Sequence, residues 1–331
     1  MLKYIIKRIL LLIPVFLGVT FVIFAIVRMN PADPVYAILG INITEEQYAA
    51  KAAELGLDQP FLIQYLLYIK DIVLHFDLGV SYSTGREVST MILERFGTTL
   101  RLGVLGIALA LLLGIPSGIL SATRQYSLAD RVVTFASLVF ASMPAFWSAL
   151  ILMLLFSLYL GWLPASGLKT WDAWILPVVS VGMSPVAGIT RMTRSSMLDV
   201  TRQDYVRTAR AKGLSEGTII LRHELKNAVI PVLTVVGMQI GSIMAGSVVV
   251  ESIFSIPGMG SLITDAISAQ DYNLVQGSVL FIALFICAIN LVVDIVYAFI
   301  DPRIKAQYQG GSRKRRRDRS AQDQKRGGAS S

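Results

Sequence analysis

Asp204 to Pro231 reads DYVRTARAKGLSEGTIILRHELKNAVIP, a polar and basic stretch set between two long apolar segments. Val200, Tyr205, Val206 and Ala209 recur at roughly helical spacing, and Gly213 stands where a helix stops in a left-handed cap. Ser215 is a good N-cap for a second helix, and Glu216 falls in its first turn, where the helix dipole favours negative charge. Thr218 at the third position leaves the capping box incomplete. Ile219, Ile220 and Leu221 give this second helix an apolar side. The pattern predicts two short helices hinged at Gly213. On residue types alone it also reads as an ordinary charged loop whose basic residues orient a membrane protein.

The rest of the 331-residue chain is apolar: 54% hydrophobic against 16% charged residues, with a mean hydropathy of +0.62, which places it among integral membrane proteins. The net charge of +8 is local, because ten of the 30 Lys+Arg but only two of the 22 Asp+Glu lie in residues 302–331. That tail, with Arg313, Lys314, Arg315, Arg316, Arg317 and Arg319, reads as a disordered cytoplasmic end able to hold anionic membrane lipid. The neutral body gives no reason to expect nucleic acid. Cys287 is the single cysteine and lies in an apolar stretch, so neither a disulfide framework nor a cysteine metal cluster is expected.

Residues 1–30 hold an apolar run (9–27) behind Lys3, Lys7 and Arg8, with no small-x-small cleavage site after it, and are read as a retained first transmembrane helix with Pro14 near its start. Residues 31–97 form a polar extracytoplasmic segment: Thr44 can cap a helix that stops at Gly56, and Pro60 can open another through about Leu74. His75 has no partner at ligand spacing and reads as a surface residue. Residues 98–301 are read as a core with five more spans near 98–122, 132–160, 171–190, 229–250 and 278–300. The bias of Lys and Arg in the short loops puts both termini in the cytoplasm.

Pro116, Pro144, Pro177 and Pro185 in or beside these spans point to a packed bundle around a pathway. Gly103, Gly106, Gly114, Gly118, Gly237, Gly241 and Gly246 permit close helix contact, and the Gly237-x-x-x-Gly241 spacing is also that of a weak dimer motif. Glu251 and Asp294 are costly in hydrocarbon, so each is expected to face the bundle or lie near an interface, with helix-end solvation favoured over a proton relay.

Ala209, Gly213 and the run RHELKNA (Arg222 to Ala228) resemble the cytoplasmic loop of importer-type ABC permeases, specifically the first permease subunit of the dipeptide/oligopeptide/nickel family. The general importer motif opens Glu-Ala-Ala, where this chain has Arg207, Thr208 and Ala209, and its later Leu-Pro falls on Leu225 and Lys226. The Arg-His-x-Leu-x-Asn-Ala wording is that of the peptide branch. LGLDQPFLIQY (Leu55 to Tyr65), DLGVSY (Asp77 to Tyr82), ESIFSIPGMG (Glu251 to Gly260) and FIDPR (Phe299 to Arg303) are similar to the same family, so the resemblance covers most of residues 1–305.

The resemblance implies an all-α membrane fold, a type-1 importer permease core of six transmembrane helices with an extracytoplasmic insert after the first, in the inner membrane of a bacterial or archaeal cell. It implies that Ala209, Gly213, Leu214, Ser215, Glu216, Arg222, His223, Leu225 and Asn227 dock on an ATPase, and that Glu251, Phe254, Pro257, Gly258 and Gly260 lie near the translocation mouth. Its partners would be a second related permease subunit, two ATP-binding cassette subunits and an extracytoplasmic binding protein, with no cofactor. Relatives carry dipeptides, longer peptides, nickel chelates and glutathione-like compounds.

The chain has no Gly-x-x-x-x-Gly-Lys-Ser/Thr, so ATP hydrolysis is expected from a partner and His223 is read as an interface contact. A secondary, ion-coupled transporter is the alternative, disfavoured by the shortage of intramembrane ionisable residues. A helix-turn-helix DNA module at 197–226 is disfavoured by its short tether between two spans.

Overall fold

The structure, a computed structural model, describes residues 2–29 and 33–300, so the basic tail expected at 302–331 lies outside the described residues. The described chain is helical apart from loops and one antiparallel bridge, Val80–Glu87. α1 (Leu2–Arg28) is the first span, followed by three short helices, α2 (Pro34–Leu39), α3 (Glu45–Glu54) and α4 (Phe61–Lys70). α3 starts as its sequence predicts: Thr44 Oγ1 accepts from the Gln47 N–H at 3.3 Å and Gln47 Oε1 accepts from the Thr44 N–H at 3.0 Å. Gly56 follows at φ +65, and Pro60 opens α4. Phe61, Tyr65 and Tyr68 of α4 pack against Phe21 and Phe24, which ties the insert to the C-terminal half of α1. His75 is exposed and sits 3.4 Å from Asp71.

α5 (Val88–Thr123) begins inside the segment read as extracytoplasmic and runs unbroken through Pro116. It lies against α8 (Ile175–Thr201), and glycines set how closely. A Cβ at Gly118 would stand 2.5 Å from Thr193 Cβ and 2.7 Å from the Thr190 carbonyl. Gly237 faces Val293 of the last helix in the same chain, so it serves packing inside the subunit.

Two expectations are corrected. The span expected at 132–160 is broken: α6 (Leu128–Ser142) and the helix α7 (Ala145–Leu152, extended by a wider-wound turn to Tyr159) meet at 104°. Pro144 has no N–H to donate and disfavours helical backbone before it, and Met143 is accordingly extended at φ −87, ψ 116. The second arm of the basic stretch is not a short helix. After α9 (Asp204–Ala211), residues Glu216–Ile253 form one continuous helix of 38 residues, comprising α10 (Glu216–Thr218), a wide-wound segment and α11 (Leu225–Ile253). Pro231 does not interrupt it. α12 (Met259–Ser268) and α13 (Tyr272–Ile300) complete the described chain. Among the described residues five helices are long and apolar enough to cross a membrane, and the bent α6/α7 pair makes six.

One further correction concerns Glu251, expected to be solvated at a helix end. Glu251 is not solvated at all: it is fully buried, and its Oε2 accepts the Gly260 N–H at 2.6 Å. Asp294 of α13 is neutralised by Arg8 of α1 at 2.8 Å, an ion pair across two spans.

Candidate functional site

The basic stretch folds as an elbow. α9 is amphipathic, and its apolar side, Val206 and Ala209, is buried against Ile219 and Val200. Gly213 then takes φ +77, the left-handed conformation that an L side chain rarely adopts, and turns the chain back. Ser215 holds the extended backbone of an N-cap (φ −67, ψ 144), but its hydroxyl meets Thr218 Oγ1 at 2.9 Å and caps no backbone N–H.

The two arms are stapled together. Arg210 donates to Glu216 through Nε at 2.9 Å and Nη2 at 3.3 Å, and reaches the buried Glu224 at 3.4 Å. The hydrogen bond and charge of Glu216 push the Arg210 guanidinium above its ordinary value. Asn227 Nδ2 donates to the Tyr205 hydroxyl at 3.0 Å. Of the residues singled out in the sequence, Gly213, Leu214, Ser215, Glu216, Arg222 and Asn227 are exposed, His223 and Leu225 are partly buried, and Ala209 is in the interior. Arg210 and Glu224 were not singled out, because opposite charges 14 positions apart carry no signal until Gly213 reverses the chain.

Beside the elbow, Asp130 at the start of α6 is buried and accepts from Arg194 of α8 (Nε 2.8 Å, Nη2 3.0 Å), from Ser121 of α5 and from the Tyr126 N–H at 2.9 Å. One carboxylate therefore pins three helices where they meet the elbow. Ile220 and Leu225 pack on Ala122 of α5, Met197 of α8 and Ala228 of α11.

At the other end of α11, Glu251, Phe254, Gly258 and Gly260 are packed inside a knot, and of the five residues singled out there Pro257 alone is exposed. Phe254 and Ile256 belong to the core formed with Leu102 and Leu176. The Gly260 backbone lies on that of Val248: a Cβ there would overlap Val248 Cα and come within 2.5 Å of its carbonyl oxygen. Thr99 accepts the Met259 N–H at 2.8 Å and joins α5 to the knot.

Within the bundle a cavity of about 530 Å³ opens where the helices are interrupted, lined by Ser142, Pro144, Ser184, Pro185, Ser242 and Gly246 among others, none of them charged. Pro185 leaves the Val181 carbonyl, on the same wall, without its helical donor. The cavity thus offers hydroxyls and backbone carbonyls and no fixed charge.

Residues 114–306 match the family described as "Binding-protein-dependent transport system inner membrane component", and residues 1–103 match its N-terminal component. The chain is 41% identical over 333 residues to the dipeptide transport system permease protein DppB of Alkalihalophilus pseudofirmus, covering 92% of this chain and 100% of that protein. It is 42% identical over 305 residues to the glutathione transport system permease protein GsiC of Salmonella typhi, covering 92% and 99%. Its fold is similar to that of the MetNI methionine ABC transporter in an inward facing conformation (TM-score 0.56, 15% identity, 64% of this chain and 97% of that one). With its apolar helices and this match along both halves, the chain belongs to the family of inner membrane components of binding-protein-dependent transport systems, the multi-pass permeases of ABC importers.

Proposed function

We propose that the chain is the permease subunit through which an ATP-driven importer passes di- or oligopeptides handed over by an extracytoplasmic binding protein. The observation that carries the coupling half of this reading is the elbow's continuity with a membrane helix. Its second arm and the span Glu216–Ile253 are one helix, and Arg210 fastens the first arm to the second. A partner that grips Leu214 and Ser215 therefore moves a 38-residue rod. Two ATPase subunits bind here and at the equivalent loop of a second, related permease subunit, and both termini face these ATPases in the cytoplasm. This chain contributes no catalytic group to ATP hydrolysis and needs no cofactor. ATP binding favours one of two bundle arrangements, and the cavity alternates its access accordingly.

The uncharged cavity supports a peptide cargo, because hydroxyls and free carbonyls meet the N–H and C=O groups common to all peptides and leave side chains unread. Glutathione and dipeptides, the cargo in the relatives' names, share that backbone. The family match disfavours the ion-coupled alternative, and Asp130 is paired with Arg194 and Asp294 with Arg8. The second elbow arm, being the start of a membrane helix, also lacks the freedom a DNA-recognition helix needs. Glu251 to Gly260 would frame the outer mouth as a rigid rim.

The test is cross-linking. Leu214→Cys in a Cys287→Ser background, with its neighbouring subunits present, is expected to join to an ATPase subunit in a nucleotide-dependent manner. Absence of any such product from single cysteines placed through 209–227 would dismiss the docking role.

A further inference from the structure

A second cavity, of about 280 Å³, lies between the end of α1, the insert and the start of α13, away from the bundle cavity. Its polar walls are Arg28, Asp33, Tyr48, Tyr82, Tyr272, Asn273 and Gln276. The Asp33 carboxylate and the Asn273 carbonyl on these walls are taken. Asp33 Oδ1 accepts the Val35 N–H at 2.8 Å and Oδ2 the Tyr48 hydroxyl at 2.5 Å, while Asn273 Oδ1 accepts the Tyr82 hydroxyl at 3.0 Å. Burial pushes the Tyr82 phenol up to about 12, so it remains a donor.

Two donors are left over. Arg28, 5.4 Å above the Phe24 ring, makes no ion pair among the described residues, and the Tyr272 hydroxyl is buried without a partner. A buried hydroxyl and a partly enclosed guanidinium both cost free energy when unmatched, and the group that satisfies both is an acceptor-only oxyanion.

An adjoining cavity of about 520 Å³ shares Arg28, Tyr82 and Asn273 and has the opposite character. Its walls include four carboxylates, of which Glu54 is paired with Lys51 and Asp71 with His75. Asp58 and Asp77 have no cationic partner among the described residues. Of these two cavities that share a wall, one thus lacks an anion and the other lacks a cation.

We propose that these two adjoining cavities bind a small zwitterion, its oxyanion on Arg28 and Tyr272 and its ammonium toward Asp58 and Asp77. The chemistry is that of a free amino acid or short peptide, or of a phosphatidylethanolamine headgroup entering beside α1. It is independent of the coupling reading, since it involves neither the elbow nor the bundle cavity.

The experiment uses the full chain purified with the subunits that accompany it. Thermal unfolding is followed against glycylglycine, acetylglycine (anion only) and glycinamide (cation only) at constant ionic strength, and native mass spectrometry counts retained phosphatidylethanolamine and phosphatidylglycerol. If the ligand is soluble, glycylglycine raises the midpoint saturably and the single-charge probes do so at least about tenfold more weakly. If it is a lipid, one phosphatidylethanolamine is retained in preference to phosphatidylglycerol and the soluble probes do nothing. Arg28→Gln is expected to weaken either response about tenfold or more, Tyr272→Phe and Asp77→Asn severalfold, and the exposed Arg86→Gln not at all. Arg28→Lys and Tyr272→Phe keep charge or shape, so a folding defect does not mask the result. The proposal is overturned if the wild type and these variants are indistinguishable in both arms, or if acetylglycine or phosphatidylglycerol does as well as its zwitterionic counterpart.

Discussion

Replacing Gly213 isolates the elbow's geometry from its packing. An ideal Cβ at this position meets nothing within 4 Å, so Gly213→Ala introduces no clash. What remains is the backbone at φ +77, which costs an L-residue about 1–2 kcal/mol, and a β-branched side chain more. The elbow has two ways to respond. It can hold its shape at that cost, or relax φ and swing α9 away from Glu216, breaking the Arg210 staple. Every ~1.4 kcal/mol lowers the population of the native elbow about tenfold relative to a relaxed one. Asn tolerates the left-handed region, which orders the variants Gly, Asn, Ala, Val.

The assay is uptake of a labelled dipeptide by cells lacking the native copy, with the amount of subunit in the membrane measured in parallel and ATPase activity measured on the purified assembly. Membrane levels are expected to stay near wild type throughout, because no core contact is touched. Uptake is expected to fall in the stated order, with Gly213→Val near background. Wild-type transport by Gly213→Val, or equal losses for Asn and Val, would refute the argument that this turn's backbone transmits the motor's stroke.

Other consequences are open to measurement. Gly260→Ala places a Cβ on the Val248 backbone, which no rotamer change relieves, so this single methyl is expected to lower membrane accumulation sharply where Gly213→Ala does not. Asp130→Asn removes the charge partner of Arg194, a side chain 28% exposed, and is expected to cost toward the lower part of the ~3–5 kcal/mol typical of broken buried pairs, read as a fall in the thermal midpoint. Ser121→Ala, losing its hydrogen bond to the same carboxylate and the one it accepts from Arg194, is expected to cost less, about 1.5–3 kcal/mol.

Asp271 joins the insert to α13. Burial raises its pKa, but hydrogen bonds from Ser81, Ser83 and the Tyr82 N–H outweigh burial and hold the carboxyl below its ordinary value. A depressed folded value means its stabilisation is complete above the unfolded value near 3.9 and is lost as pH falls through the folded one. Asp271→Asn is therefore expected to lower the thermal midpoint by a constant amount at neutral pH, with the gap to wild type closing only below about pH 4. A gap that closes between neutrality and pH 5 would contradict the assignment.

Much of this protein was legible in its sequence because the relevant physics is local. Apolar runs long enough to cross hydrocarbon, the Thr44 cap, and the left-handed Gly213 each depend on neighbours within a few positions, and each appears as expected. The wording of the elbow and of Glu251 to Gly260 carried the family for the same reason.

Tertiary structure alone decided the rest. Hydropathy along 132–160 is nearly uniform, so the size of the turn at Pro144 could not be read from it, and Pro231, the same residue type, leaves its helix unbroken. Which outcome a proline takes depends on what neighbouring helices do with the freed carbonyl. The partners of the charged residues are likewise invisible in one dimension: Asp130 meets Arg194, Arg8 meets Asp294, and Arg28 shares a cavity with Tyr272. A charge in a low-dielectric bundle must find a counter-charge or a hydrogen bond, and the fold, which sets distances in space, determines where.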